Sequence, residues 1–357
     1  MVLERLFPED WLEKKFKYAF LLGLGYSVIG IIIARLLFPS NSGIVSVIFT
    51  SIFLSPSMRK IFLIEETSEE KEKKFSFKRL IRSDYDVILM YFLVFIGIFT
   101  SYLAFSFLLP QLGLNTFDIL KEQLFLDPAL RGHATFSFYS FQFIFYNNWW
   151  VLLATFILAL IAGDGAIFFV TWNASAWGAI FGSRVINASI YSGQNPWYLL
   201  LIVLSLVIWH LLLEGGAYIL AGIAGSTISN EIIKERIEIA EFVVWVIAGS
   251  ALFVLVNYVI KPMGFTPLIT LIFYFLLTLI LLYFLGKIVA EKKNKVVFIY
   301  NFAVFVAAIV VFILGATVET IAVSNFHILA EVDIMSYCAA NNFSLQECVR
   351  FMPFYNT

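Results

Sequence analysis

The chain has few charged residues, and this scarcity is the first guide to its class. Only 14% of its 357 residues are Asp, Glu, Lys or Arg, whereas 61% are hydrophobic and 18% are aromatic, with a mean hydropathy of +0.89. A water-soluble globule of this length needs more polar surface than this composition provides. The composition therefore predicts an integral membrane protein whose main contact is the lipid bilayer.

The chain also lacks the charge that nucleic-acid binding requires. Its net charge is −1, and its lysines lie at the ends of loops instead of along one stripe. A phosphate backbone is bound by a basic stripe, so nucleic acid is excluded as a partner. No cleavable signal peptide is evident, because residues 1–17 carry charges of both signs and the long apolar run that follows lacks a convincing cleavage site.

Motifs of common hydrolases are missing as well. The chain contains no H-E-x-x-H, and His133 and His327, the histidines besides His210, are expected near the outer surface. A three-histidine zinc site at membrane depth is therefore disfavoured. There is no G-x-S-x-G elbow, and both cysteines lie near the C-terminus. We expect no catalytic residues, no metal and no cofactor, with an intramembrane metal hydrolase as a minor alternative.

Long apolar runs predict the architecture. Stretches near or above the ~20 residues that span a bilayer occur at 18–38, 44–63, 86–109, 149–171, 197–228, 239–260, 265–287 and 296–323. The segment 174–190 is short, rich in small residues and contains Arg184, which favours a short or re-entrant helix packed against protein. The expected fold class is all-α, a polytopic transmembrane helical bundle of about eight spans plus this helix.

Basic residues predict the orientation. They cluster at 5–17, 59–82 and 287–295, which places these stretches and the N-terminus in the cytoplasm of a multi-pass plasma-membrane protein. This orientation requires one more membrane crossing than the neighbouring spans provide, and we expect the segment 174–190 to supply it. The expected organisation is an N-terminal segment and hairpin at 1–65, a charged cytoplasmic loop at 66–85, a transmembrane core at 86–323 with an external loop at 110–148, and an extracytoplasmic tail at 324–357.

The two cysteines, Cys338 and Cys348, lie ten residues apart in this tail. An extracytoplasmic position permits a disulfide between them. Closing so short a loop would stabilise the fold by about 2–3 kcal/mol on the chain-entropy estimate. Two unpaired thiols are the alternative.

Two ionisable residues one helical turn apart, His210 and Glu214, lie within the apolar run 197–228. A charge at the centre of a transmembrane helix costs about 2.5–3.5 kcal/mol on insertion scales, which favours neutral forms or partnered, inward-facing side chains. At i and i+4 the two side chains share one helix face, so the pair is predicted to face protein. Small residues typical of packed transmembrane helices follow the pair: Ala217, Ala221, Gly222 and Gly225.

Further polar residues interrupt the apolar sequence and are candidates for the same interior. They are Asn147, Asn148, Asp164, Asn173 and Glu319. Glu319 lies in mid-span and is predicted to hydrogen-bond to a neighbouring helix within reach of His210. Three roles are open for His210, Glu214 and Glu319: structural contacts between helices, which we prefer, a pathway for an ion, proton or substrate, or a metal site.

Three ordered segments contain these residues: FYNNWWVLLATFILALIAGDGAIFFVTWNASAWGAIFG, WHLLLEGGAYILAGIAG and ILGATVETIAVS. Together they resemble the core of the stage II sporulation protein M family, over about residues 140–323. The family pattern is matched at Asn147, Asn148, Asn173, Gly178, His210, Glu214, Ala221, Gly222, Gly225 and Glu319. The chain departs from it at Asp164, Ala174 and Leu211, where the family usually has small residues or glycine.

The resemblance implies a non-catalytic role. In spore-forming bacteria the family member looks like a membrane scaffold that localises cell-wall hydrolases during engulfment. The layout of residues 1–65 is similar to that of archaeal homologues, which do not form endospores, so the family name is a poor guide to the process. We expect a scaffold that anchors an envelope-associated complex, with envelope proteins as partners and homo-oligomers compatible with that role. The alternative is a transporter or channel that uses His210, Glu214 and Glu319.

Overall fold

The computed structural model of the chain describes residues 17–69, 77–109, 138–163, 166–234 and 295–325. These residues contain no strand and form helices α1 (Lys17–Leu37), α2 (Ser42–Glu69), α3 (Phe77–Leu108), α4 (Phe138–Ala162), α5 (Ala166–Ser192), α6 (Pro196–Lys234) and α7 (Lys295–Asn325), with a 3₁₀ turn at Pro39–Asn41. The predicted class, an all-α bundle of long helices, is confirmed.

Six segments of these helices are long and apolar enough to cross a membrane: Tyr18–Leu37, Pro39–Met58, Val87–Leu108, Ile144–Ala162, Pro196–Ser229 and Ile299–Ala322. Large apolar side chains such as Leu36, Leu201 and Trp209 point outward from the bundle, as contact with lipid requires. The chain is thus a multi-pass membrane protein. The predicted spans 239–260 and 265–287 and the tail with Cys338 and Cys348 lie outside the described residues.

Two predicted loops are shorter than expected because helices continue into them. The loop placed at 66–85 is partly helical, since α2 ends at Glu69 and α3 begins at Phe77. Its Glu and Lys residues are good helix formers, so the helices can extend beyond their apolar spans. α4 begins at Phe138, within the stretch 110–148 that is predicted as an external loop. The aromatic run before Asn147 continues the helix, and the asparagine pair lies inside it.

The connection between α4 and α5 also differs from the predicted span 149–171. α4 ends at Ala162, and Gly163 has a φ of 62°, a left-handed conformation that glycine adopts without a Cβ clash. α5 then begins at Ala166. The segment 174–190, expected to be short or re-entrant, lies within this 27-residue helix, which is about 40 Å long at 1.5 Å per residue.

Local sequence signals define the tight turn between α5 and α6. Gly193, with a φ of 71°, follows the last residue of α5 and ends the helix. The Asn195 side-chain oxygen accepts a hydrogen bond from the Trp197 backbone N–H at 2.9 Å, and Pro196 occupies the first helical position. An Asn cap followed by Pro is a strong helix start, so α5 and α6 form a hairpin.

The described helices form three apolar clusters. The first combines residues of α1, α2, α3 and α5, the second combines residues of α4, α6 and α7, and a smaller third one combines residues of α3, α5 and α6. α6 contributes to all three clusters and packs against α4, α5 and α7. Small residues permit close approach, as at Gly178 of α5, where a Cβ would lie 2.5 Å from the Phe99 backbone oxygen of α3.

Candidate functional site: an acidic cluster between three helices

Three polar side chains from three helices meet inside the second apolar cluster. The Asn148 side-chain nitrogen of α4 donates to Glu214 Oε1 of α6 at 2.9 Å and lies 3.3 Å from Glu319 Oε2 of α7, to which it also donates. Asn148, Glu214 and Glu319, here called the acidic cluster, thus join three helices that are distant in sequence.

The backbone of α7 closes over Glu214. Glu214 is only 1% exposed. A Cβ on Gly315 would lie 2.8 Å from Glu214 Cγ and 3.3 Å from its backbone nitrogen. Only the absence of a side chain at position 315 therefore allows α7 to approach α6 this closely at the acidic cluster.

Two further polar side chains of α6 lie beside the acidic cluster. His210, one turn before Glu214, is 8% exposed and interacts electrostatically with Glu319. Tyr218, one turn after Glu214, is 1% exposed and interacts electrostatically with both carboxyl groups. At i, i+4 and i+8 the imidazole, carboxyl and phenol form a line along one face of α6. The His210 Nδ1 and Tyr218 hydroxyl have no hydrogen-bond partner among the described residues.

Aromatic rings enclose this line of polar groups. Trp149, the residue after Asn148, is buried and stacks on Phe145 with ring centroids 5.3 Å apart. Trp149 also packs against Phe312 of α7 at 5.7 Å. Such surroundings have a low effective dielectric, which strengthens the hydrogen bonds of the cluster and makes any unpaired polar atom there costly.

The structure brings together four of the predicted site residues: Asn148, His210, Glu214 and Glu319. Asn173 is placed differently, because its side-chain nitrogen donates to the Phe169 backbone oxygen of its own helix at 2.8 Å. Asp164 and the side chain of Asn147 lie outside the described residues.

The small residues after Glu214 lie in tight helix contacts. Ala217 and Ala221 are fully buried. A Cβ on Gly222 would lie 2.7 Å from the Ala166 Cβ at the start of α5, and one on Gly225 would lie 2.6 Å from the Phe156 backbone oxygen of α4. These small residues allow α6 to pack closely against α5 and α4.

Sequence reasoning did not identify Tyr218 as part of the site. The available signal was its spacing, since it lies four residues after Glu214 on the same helix face. With 16 tyrosines and 18% aromatic residues in the chain, a single Tyr in a span is weak evidence without coordinates.

A second buried polar region, the hydroxyl cluster, consists of Ser27, Ser46, Ser101 and Tyr102. Ser27 of α1 and Ser101 of α3 are 2.7 Å apart between hydroxyl oxygens, and the Tyr102 hydroxyl donates to Ser46 Oγ of α2 at 2.9 Å. The serines also have carbonyls of their own helices in reach, as between Ser27 and the Gly23 oxygen at 2.6 Å. These neutral residues join α1, α2 and α3.

Within the part of the chain that the structure describes, no group of three or more His, Cys, Asp or Glu side chains is placed to hold a metal ion. Comparison with known proteins yields no family model, no curated protein and no solved structure that matches the chain. The fold and the site define a multi-pass membrane protein with a partly buried acidic cluster between three of its helices.

Proposed function

We propose that the chain is a non-catalytic scaffold of the plasma membrane that anchors an envelope-associated complex. The observation that carries the proposal is that one amide, that of Asn148, holds Glu214 and Glu319 of two other helices. Hydrogen bonds between transmembrane helices fix their relative positions. A bundle with its buried polar groups used in this way suits a protein that holds others in place.

The resemblance to the stage II sporulation protein M family supports the same proposal. Each of its three motifs contributes one residue to the acidic cluster, Asn148 from the first, Glu214 from the second and Glu319 from the third. Motifs that are far apart in sequence thus belong to one structural unit. Under this proposal the N-terminus is cytoplasmic, the tail is extracytoplasmic, and the partners are envelope proteins or further copies of the chain.

Photocrosslinking in native membranes tests the scaffold function. Crosslinkers at exposed positions such as Leu36 and Ile190 should capture the same envelope proteins from wild type, Glu214→Gln and Glu319→Gln, because Gln keeps the shape of the side chain. An unrelated multi-pass protein labelled in the same way is the control. The scaffold proposal fails if both proteins capture the same set of neighbours.

A transporter is the second candidate, favoured by the His210 Nδ1 and the Tyr218 hydroxyl beside the carboxyl groups, which have no hydrogen-bond partner within the described part of the chain. Polar atoms in line along a transmembrane helix are typical of proton and ion pathways. Flux of protons and monovalent cations into liposomes should be compared for wild type, Glu214→Gln, Glu319→Gln and the control Thr155→Val. Flux lost only in the two Gln variants would favour transport over the scaffold, and absence of flux in wild type would remove the transporter.

A further inference from the structure

The two carboxyl groups of the acidic cluster are placed where they cannot both be ionised at low cost. Glu214 Oε1 and Glu319 Oε2 lie 2.9 Å and 3.3 Å from the same Asn148 nitrogen, so the two carboxyl groups are neighbours. An ionised carboxyl group can only accept hydrogen bonds, so two neighbouring carboxyl groups can bond to each other only when one of them carries a proton. Two adjacent carboxyl groups in a protein typically bind one proton more tightly than either would alone.

In the described helices, no lysine or arginine is placed to compensate the charge of this pair. From α6 the titratable neighbours are the imidazole of His210 and the phenol of Tyr218. The side chains near it from α3, α4 and α5 are neutral: Phe95, which packs on Gly215, Asn148, which donates to both carboxyl groups, and Trp177, which packs on Tyr218. No Lys or Arg of the described residues contributes to the environment of Glu214.

The unpartnered phenol is an independent observation that points to a ligand at this position. Tyr218 is 1% exposed, interacts with both carboxyl groups and has a hydroxyl without a hydrogen-bond partner among the described residues. A buried hydroxyl normally has a partner. When a carboxyl pair gains or loses a proton, the hydrogen bonds that it can donate and accept change. The Tyr218 hydroxyl can act as a donor or as an acceptor, so it can bond to the pair in either state.

The chemistry of the site favours a proton over a metal ion. Asn148 presents an N–H donor to the two carboxyl groups, and such a donor repels a cation from the same oxygens. The described residues also contain no cluster of three metal-binding side chains.

We propose that Glu214 and Glu319 form a partly buried binding site for one exchangeable proton, shared between their carboxyl groups and held under the amide of Asn148. The shared proton joins α6 to α7 across the close contact at Gly315. This inference does not depend on the scaffold function, since either a scaffold or a transporter can contain such a site.

Infrared spectroscopy of the full chain in lipid tests the proposal. Carboxylic acids absorb in a C=O stretching region separate from that of carboxylates. A proton that is shared by two carboxyl groups should give a signal that requires both of them. Wild type should show one buried acid band that shifts in D₂O, and the band should be lost in Glu214→Gln and in Glu319→Gln alike. The matched control is Glu66→Gln, which lies beyond the candidate span Pro39–Met58 and should leave the band unchanged.

Two results would overturn the shared proton. The first is the absence of a buried acid band in wild type, which would mean that both carboxyl groups are ionised. The second is a band that keeps half of its intensity in each single Gln variant, which would mean that each carboxyl group holds its own proton.

Tyr218→Phe provides a readout that does not depend on whether the Gln variants fold. This variant removes only the phenol oxygen, so the helix contacts of the ring are kept. The acid band of the pair should remain and change in frequency, because its neighbouring hydroxyl is gone. A band at the unchanged wild-type frequency would contradict the placement of the proton beside Tyr218.

Discussion

The acidic cluster and the hydroxyl cluster both lie between helices of the bundle, but they satisfy their polar atoms in different ways. A serine such as Ser27 has a carbonyl of its own helix and a hydroxyl of a neighbouring helix within reach. The Glu214 carboxyl group instead accepts a hydrogen bond from Asn148 of α4. Hydroxyls can therefore join helices without requiring a particular partner, whereas buried carboxyl groups require a specific donor from elsewhere in the fold.

This difference predicts that loss of a hydrogen bond lowers the free energy of unfolding more in the acidic cluster than in the hydroxyl cluster. Replacing a hydroxyl leaves a partner that can return to its own helix backbone. Replacing the amide of Asn148 leaves the buried Glu214 carboxyl group and the partly buried Glu319 carboxyl group short of a donor, and unsatisfied buried acceptors cost more than the hydrogen bond itself contributes.

The largest effect is expected for Asn148→Leu. Leucine fills a similar volume but donates no hydrogen bond to Glu214 or Glu319, so the free energy of unfolding should fall by about 3 kcal/mol. The measurement is unfolding of the purified protein in mixed micelles. Thr155→Val on the same helix is the control, because the Thr155 hydroxyl donates to the Val151 oxygen of its own helix, and a loss of less than about 1 kcal/mol is expected there. Equal losses would contradict the stabilising role of the Asn148 amide between the two carboxyl groups.

The next largest effect is expected for Gly315→Ala. The added Cβ would lie 2.8 Å from Glu214 Cγ, and overpacking of this kind costs about 1–3 kcal/mol. The matched control is Gly216→Ala, since nothing lies within 4 Å of a Cβ at position 216. Thermal unfolding should show a clear loss for position 315 and none for position 216. If both variants unfold like wild type, α7 does not approach Glu214 as closely as described.

A smaller effect is expected for Tyr102→Phe in the hydroxyl cluster. The change removes the hydrogen bond to Ser46 and keeps the ring, so unfolding should become easier by about 1 kcal/mol. Tyr198→Phe serves as the control because Tyr198 is 58% exposed. A loss as large as that of Asn148→Leu would show that the hydroxyl cluster contributes as much to the free energy of unfolding as the acidic cluster does.

The smallest effect is expected between Ser27 and Ser101. A double-mutant cycle with alanine at both positions should give a coupling energy of about 0.6 kcal/mol or less, the typical value for hydrogen bonds between transmembrane helices. Both serines can bond to carbonyls of their own helices instead. A coupling well above 1.5 kcal/mol, measured by the same unfolding assay, would contradict this interpretation.

Particular residues show how far sequence reasoning reached. The apolar runs predicted the helical class and most of the described helices, and the i, i+4 spacing of His210 and Glu214 predicted a shared, inward face. The start of α4 was missed because Asn147 and Asn148 were taken as the edge of a span, although the aromatic residues before them continue the helix. Tyr218 was missed because nothing in its local sequence distinguishes it from other tyrosines.

The scaffold and the transporter remain distinct hypotheses because they make different demands on the same residues. A scaffold needs the acidic cluster only for helix positions, so Gln at 214 and 319 is tolerated. A transporter needs an exchangeable proton or ion at those positions, so Gln abolishes flux. The liposome comparison with Thr155→Val as its control therefore bears on function, whereas the unfolding measurements bear only on the fold.

The sequence by itself determined that the chain is a helical membrane protein and that Glu214 faces inward, because hydrophobicity, helix period and the penalty for charge in lipid act locally along the chain. Only the tertiary structure decided that Asn148 reaches Glu214 and Glu319, which lie 66 and 171 residues away. The physical reason is that a hydrogen-bond partner depends on which helices pack together and at what rotation. Those are properties of the whole bundle, and no local pattern encodes them.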